Sequence, residues 1–312
     1  MSAFGGGGGA NPVANPVIDP TTPLTPSGNL RRREAVSRVA EGAAIAAAIL
    51  AVAFLLLVVY GVTSRGVGAL NFDFFTKSLP EGGAAAGGGV APAFIGTAMI
   101  VGVGTVIAMP LAVLTALYVS EFAGARQARV IRLALDLMNG LPTIVIGLFL
   151  FGLIVLAQHH QSGFAGSLAL AIVMVPLIAR STQEVLRLVP GAMREAADAL
   201  GVSRWRTVVG VVLPAAAGGI ITGTILAVAR AAGETAPLLI LSSDSGFGKV
   251  TTGFFREAIP NVPMLIYSLS EEPSPLGLQR AWGAAFVLLM LILLANIGAR
   301  ALFARSRAKM GA

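Results

Sequence analysis

The chain has 312 residues, 55% of them apolar and only 12% charged, with a mean hydropathy of +0.82. A soluble domain carries roughly a quarter charged residues, so the composition excludes one and points to a polytopic membrane protein. There is no cysteine, which excludes disulfides and thiolate metal sites, and the net charge of +7 gathers at the ends of apolar runs, which argues against a nucleic-acid-binding face.

Residues 1–30 are rich in Gly, Pro, Asn and Thr and include five consecutive glycines, Gly5 to Gly9. Such a segment cannot bury enough apolar surface to offset its ordering entropy, and it lacks the basic start and apolar core of a signal peptide. We read residues 1–36 as a disordered cytosolic tail and residues 37–312 as the membrane domain. Six apolar runs follow, at about 40–62, 93–119, 141–157, 164–179, 215–241 and 281–299. Each is near the roughly 20 helical residues that cross a roughly 30 Å hydrocarbon core. The expected fold is therefore an all-α integral membrane bundle of six transmembrane helices. The third run is entered through Gly140-Leu141-Pro142 and continues a shorter helix, 130–138, with a bend. His159 and His160 then form an adjacent pair, which points to two faces and suits a solvated loop better than a metal.

Orientation follows from Lys and Arg. With the N-terminus inside, sixteen fall in cytosolic segments and five in outer ones, and Arg230 lies within a span. This bias places both termini in the cytosol. Two outer loops are long, at about 63–92 and 242–280. Gly82-Gly83 and Gly87-Gly88-Gly89 suggest flexibility in the first. In the second, Met264, Leu265 and Ile266 could pack over the mouth of the protein or against a partner.

The loop 181–214 is cytosolic on this reading. Residues 184–200 suit a helix, Gly201 a left-handed helix end, and Ser203 the cap of a second helix, 204–212, which Pro214 closes. The result is a helix–turn–helix with a small-residue face (Ala196, Ala197, Ala199) and directional groups at Arg194 and Glu195. A docking site and a helix lying on the bilayer, with Arg187, Arg194, Arg204 and Trp205 among the headgroups, both fit this composition.

Within the fifth run, Arg230 and Glu234 are ionisable groups at i, i+4, followed by Thr235-Ala236-Pro237, which interrupts the helix. Arg230 offers a planar fork suited to a tetrahedral oxyanion, with Glu234 holding it until substrate arrives. The pair could equally fix helix packing. Arg180, at the inner end of the fourth run, is a further pathway candidate or a residue that snorkels to the interface. Gly219 and Gly223 read as a close-packing face. Gly246 to Thr251 is not a phosphate loop, because it lacks the first glycine and a hydroxyl residue after Lys249. Gly102-Val103-Gly104 lacks the third glycine of a dinucleotide fingerprint.

The spacing Glu195-Ala196-Ala197, Gly201, Val211, Leu213-Pro214 resembles the cytoplasmic signature loop of ABC importer permeases. Ala179-Arg180-Ser181-Thr182-Gln183-Glu184, Val189-Pro190, Arg194-Glu195-Ala196 and Ala229 to Leu239 (ARAAGETAPLL) are similar to phosphate ABC importer permeases of the PstA type. Tyr118-Val119-Ser120-Glu121 and Asn139-Gly140-Leu141-Pro142-Thr143 fit as well, and the resemblance spans about 37–312. It implies a coupling helix carried by Glu195, Ala196, Ala197, Gly201, Leu213 and Pro214, docked on a separate ATPase. It implies a heterodimer with a PstC-type permease, two ATPase copies, and an extracytoplasmic phosphate-binding protein, all at the bacterial plasma membrane. The chain itself is expected to be a transport subunit without cofactor, ATP and Mg being used by the ATPase. The substrate pathway is expected at Arg230, Glu234, Thr235 and Arg180. The rivals are a permease for sulfate or molybdate, a passive channel, and a membrane enzyme; the last lacks an acid–base or metal constellation.

Overall fold

A computed structural model describes residues 30–80, 87–243, 253–272 and 274–310. Residues up to Val58 form one unit and those from Val59 onward a second. The described part of the first unit belongs to α1 (Leu30–Gly66). Residues 30–36, assigned from sequence to the tail, are helical: Arg, Glu and Ala favour helix here, and Glu34 pairs with Arg38 one turn on at 3.8 Å. The rest of that tail lies outside the described residues. From Val36 to Val58 the apolar side chains are exposed on all sides, as in a helix whose solvent is lipid.

Among its described residues the regular elements of the second unit are all helices. Its elements are α2 (Phe72–Thr76), α3 (Ala91–Leu117), α4 (Ala125–Gly140), α5 (Thr143–Leu150), α6 (Leu156–Gln158), α7 (Gly163–Leu188), α8 (Gly191–Ala199), α9 (Arg204–Thr207), α10 (Leu213–Ala231), α11 (Ala236–Leu241), α12 (Val262–Glu271) and α13 (Pro275–Met310). Three π turns join or extend them, at Tyr118–Phe122, Phe151–Val155 and Val208–Val212. Five helices among the described residues are long and apolar enough to cross a membrane. Residues 125–158 make a sixth span only as a pair bent by 95°, broken at the Gly140-Leu141-Pro142 identified from sequence.

Two expected helix ends move. The helix expected over 184–200 is two helices, because Pro190 forces Val189 into extended backbone (ψ 123) and α7 stops at Leu188. Conversely, Pro214 does not close a helix. The chain is helical from Arg204 to Ala231, and the π turn Val208–Val212 widens the backbone just before the proline ring.

α7 is the centre of the bundle, packed against α3 on one side and α10 on the other. Small residues set the separation. A Cβ at Gly104 would sit 2.9 Å from the Ser167 carbonyl oxygen, one at Gly219 2.5 Å from Val185, and one at Gly223 on the Ser181 hydroxyl. The glycine pair of α10 therefore serves close packing. Ile100, Leu170, Met174 and Ile178 fill the middle of this core with no exposure.

At the end carrying α2 and α12, the apolar residues of the long loop turn into the chain. Val262, Leu265 and Leu269 are fully buried with Phe74, Val90 and Ala284. The glycines of the other long loop are structural where described: Gly88 has φ +80, and a Cβ on Gly89 would strike the backbone of Asp73 and Phe74. Positive φ calls for glycine at 87 and 88, and close approach calls for it at 88 and 89. Gly82-Gly83 and most of the Gly246–Thr251 stretch's surroundings, with the stretch itself, lie outside the described residues.

Replacing Gly223 by Val should force α10 off α7 and cost about 1–3 kcal/mol of stability. A thermal melt of the detergent-purified protein checks this, and adding Ser181→Gly should recover part of the loss.

Candidate functional site

α8, a turn and α9 form the expected helix–turn–helix. Gly201 has φ +71; its N–H donates to the Asp198 carbonyl at 2.9 Å and that of Val202 to the Ala197 carbonyl at 3.1 Å. This pair of bonds is the Schellman arrangement, in which a left-handed residue satisfies carbonyls the helix leaves open. No atom lies within 4 Å of where a Gly201 Cβ would be, so the demand for glycine is conformational. Ser203 occupies the N-cap of α9 without a side-chain capping bond.

The six expected coupling residues divide. Glu195, Ala196 and Gly201 are exposed on the helix and turn, whereas Ala197 is buried. Leu213 and Pro214 lie nine and ten residues beyond Arg204, roughly 13–15 Å up the helix at 1.5 Å per residue. Leu213 packs against a cluster containing Leu117, Leu186, Val208 and Val212, which holds the helix–turn–helix to the bundle. Arg194 does not point outward as expected. Its Nη1 donates to the Val189 carbonyl at 2.8 Å, and its Nη2 to the Leu186 carbonyl at 3.0 Å and to Glu121 Oε1 at 2.8 Å. Beside Trp205, 59% exposed, stands an apolar tip the sequence did not single out: Leu200 is 82% exposed. The signal for Leu200 was its place immediately before the turn glycine, where a helix must end and its last side chain projects.

Arg230, Glu234 and Thr235 meet at the break between α10 and α11. Arg230 Nε stands 3.9 Å from Glu234 Oε1, with the guanidinium side chain 61% exposed and the carboxylate 17%. The break is satisfied locally. Gly233 and Glu234 N–H groups donate to Arg230 and Ala231 carbonyls; at the far end of α11, Gln161 Nε2 and the Ser162 N–H cover the carbonyls of Ile240 and Leu241. Pro237 seats against Gly147, fixing α11 on α5.

Arg180 is not at a helix end. α7 continues eight residues past it, roughly 12 Å, and the guanidinium forms an ion pair with Asp136 of α4. Ser181 faces Gly223, which puts Arg180 roughly 9 Å along α10 from the level of Arg230. Asp136 was legible only as a carboxylate one turn from Arg132 on an amphipathic stretch. A cavity of about 450 Å³ between α3, α10, α12 and α13 includes none of these charges. Its lining hydroxyls, Thr97 and Thr105, are already engaged, by the Val262 N–H and the Val101 carbonyl, so it suits an apolar occupant.

Among the described residues no group of three or more His, Cys, Asp or Glu could hold a metal ion. His159 is exposed in left-handed backbone (φ 58), while His160 is half-buried, with its Nδ1 enclosed and unbonded. The loop pair is thus only partly solvated.

Residues 108–308 match the family of binding-protein-dependent transport system inner membrane components. The phosphate transport system permease protein PstA of Yersinia pestis is 34% identical over 276 residues, 88% of this chain and 92% of that protein. The Haemophilus influenzae protein of the same name is 36% identical over 272 residues, 87% of this chain and 95% of its own length. That of Mycobacterium leprae is 41% identical over 237 residues, 74% and 76%. Among solved structures, a chain of a bacterial alginate ABC transporter aligns with a TM-score of 0.54 at 14% identity, over 88% of this chain and 98% of that one. A chain of the inward-facing MetNI methionine ABC transporter aligns at 0.51 and 17% identity, over 69% and 93%. These two establish a shared fold.

A Gly201→Val change should destabilise the turn by about 1–2 kcal/mol, the cost of left-handed backbone for an ordinary residue. Hydrogen exchange at the Val202 amide, which donates across the turn, should then quicken about 5–30-fold, and clearly less in Gly201→Asn.

Proposed function

Since the chain belongs to the binding-protein-dependent transport system inner membrane components and, among them, to the PstA phosphate permeases, we propose that it carries inorganic phosphate across the membrane. The observation that carries this reading is identity of 34–36% over nearly the whole length of two phosphate permeases. The chain is a multi-pass subunit of an ABC importer, and its task is transport.

The finer assignments are our inference. The Arg and Lys bias supports a cytosolic location for both termini and for α8–α9. There Leu200 offers the ATPase an apolar knob; burying one leucine is worth about 2 kcal/mol. Glu195 and Ala196, exposed beside it, give direction and close approach. A PstC-type permease would complete the membrane unit, and an extracytoplasmic phosphate-binding protein would deliver the anion to the α2–α12 end. ATP and Mg would be held by the ATPase pair, with no cofactor on this chain. ATP binding would draw the ATPases together, move α8 and switch the permeases between inward- and outward-facing forms.

For the pathway, Arg230 and Arg180 each rest beside a carboxylate while remaining substantially exposed, at 61% and 44%. An arriving phosphate would displace Glu234 from Arg230 near Thr235, then meet Arg180 further inward. Holding each arginine neutralised between transits lowers the cost of keeping it within the membrane.

The test is phosphate uptake in cells lacking their own permease of this type. The intact chain should restore binding-protein-dependent uptake, and the Glu195→Ala, Gly201→Asp double variant should not. Uptake of sulfate or molybdate in place of phosphate would replace the substrate, and uptake without ATP would indicate a channel. Arg230→Gln should cut phosphate uptake at least about 10-fold while the complex still assembles, with Arg230→Lys in between, because lysine keeps the charge without the fork. Full uptake by Arg230→Gln would remove Arg230 from the pathway.

A further inference from the structure

We propose that the π turn Tyr118–Phe122, at the end of α3, receives both arms of the helix–turn–helix, and that Arg194 is the positioning residue that ties movement of α8 to α3 and α7. The inference rests on reading α8–α9 as the ATPase dock.

Glu121 is 7% exposed. A carboxylate so enclosed needs a partner, and Arg194 Nη2 supplies one at 2.8 Å. The same guanidinium donates to the carbonyls of Leu186 and Val189. These lie at the end of α7, where carbonyls have no partner within the helix and the helix dipole favours a cation. One planar group therefore joins the ends of α3 and α7 to α8. Only an arginine fork reaches three acceptors in this way; a lysine ammonium lacks the fixed geometry.

The next residue of the turn serves the other arm. The Phe122 ring lies 6.3 Å from that of Trp205, and the Arg204 guanidinium sits 5.8 Å above it. Glu121 is thus held from α8 and Phe122 from α9. Between them the backbone is widened: the Ala123 N–H donates to the Tyr118 carbonyl at 2.8 Å, five residues back. Such a turn differs from α-helix by one hydrogen-bond register, so it can change with little loss of bonding, and single π turns gather at functional sites. Residues 194 and 195 then split the work of α8. Glu195 faces out toward the partner, and Arg194 faces in and carries the displacement to α3, which passes it to α7 along the Gly104–Ser167 contact.

The experiment uses the whole importer reconstituted in vesicles, with phosphate uptake and ATP hydrolysis followed together, and hydrogen exchange read on the same complex. Arg194→Lys and Glu121→Gln should each lower phosphate moved per ATP at least about 10-fold and speed exchange over residues 118–123 by a similar factor, while Arg187→Lys does neither. The reciprocal double variant, Glu121→Arg with Arg194→Glu, should not recover coupling, since a carboxylate at 194 would face the α7 carbonyls. Unchanged phosphate per ATP, loss of uptake only in proportion to loss of assembled complex, or full recovery in the reciprocal variant would each overturn the proposal. The docking reading fails on a separate result: Leu200→Asp leaving the ATPase bound at wild-type affinity. In that case wild-type exchange over residues 118–123 in Arg194→Lys overturns the clamp, and accelerated exchange upholds it.

Discussion

α7 approaches α3 and α10 so closely that side chains cannot separate them. Gly104 admits the Ser167 carbonyl, Gly219 admits Val185 and Gly223 admits Ser181. In lipid no hydrophobic force drives helices together, because the tails are as apolar as leucine; dispersion between closely fitted surfaces has to serve. Small residues make that fit possible, and everything built on the three helices inherits its position from it. The level of Arg180 relative to Arg230 is set by the Ser181–Gly223 contact. The helix–turn–helix in turn rests on Leu117, Val185, Leu186 and Val212, contributed by these helices and the π turn that feeds α10.

Among the described residues this regular frame is interrupted at several places, including three π turns, at the end of α3, after α5 and ahead of Pro214, the break between α10 and α11, and the bend of 95° between α4 and α5. Hydrocarbon supplies no hydrogen bonds, so each irregularity must be satisfied within the protein. At the α10–α11 break this is done by local turn bonds, and at the far end of α11 by Gln161 and Ser162. Irregular segments with internal partners can alter their pairing without exposing a bare amide, which long α-helices cannot. The break carrying Arg230 and the turn carrying Glu121 are in this sense the compliant parts of a stiff bundle.

What the sequence made legible was whatever depends on one residue and its neighbours. Five spans follow from apolar length, the bend that breaks the sixth apolar run from Gly140 and Pro142, and the left-handed turn from Gly201. Errors came where a local rule met a tertiary answer. Pro214 reads as a stop, yet the π turn before it lets the helix pass. Gly87–Gly89 reads as slack, and the fold adds a second reason for glycine: positive φ at 87 and 88, and the backbone of Asp73 and Phe74 in the space a side chain at 89 would need. Arg194 reads as a surface charge, yet Glu121, seventy-three residues away in sequence, turns it inward. No spacing rule joins positions so far apart, and Asp136 with Arg180 was hidden for the same reason.

The arginines show how one side chain takes separate tasks from its surroundings. Arg126 and Arg129, on the amphipathic α4, stay exposed. Arg194, 28% exposed, spends three of its five N–H donors on acceptors within the protein, which suits the joint proposed for it. Arg180 and Arg230 lie between these extremes. Each has a carboxylate within ion-pair range but keeps about half its side chain open, at 44% and 61%. A fully buried pair would be too costly to part, and a bare arginine too costly to hold within the membrane. On the pathway proposed here, a half-open pair would exchange its carboxylate for a passing anion at little net change in charge separation.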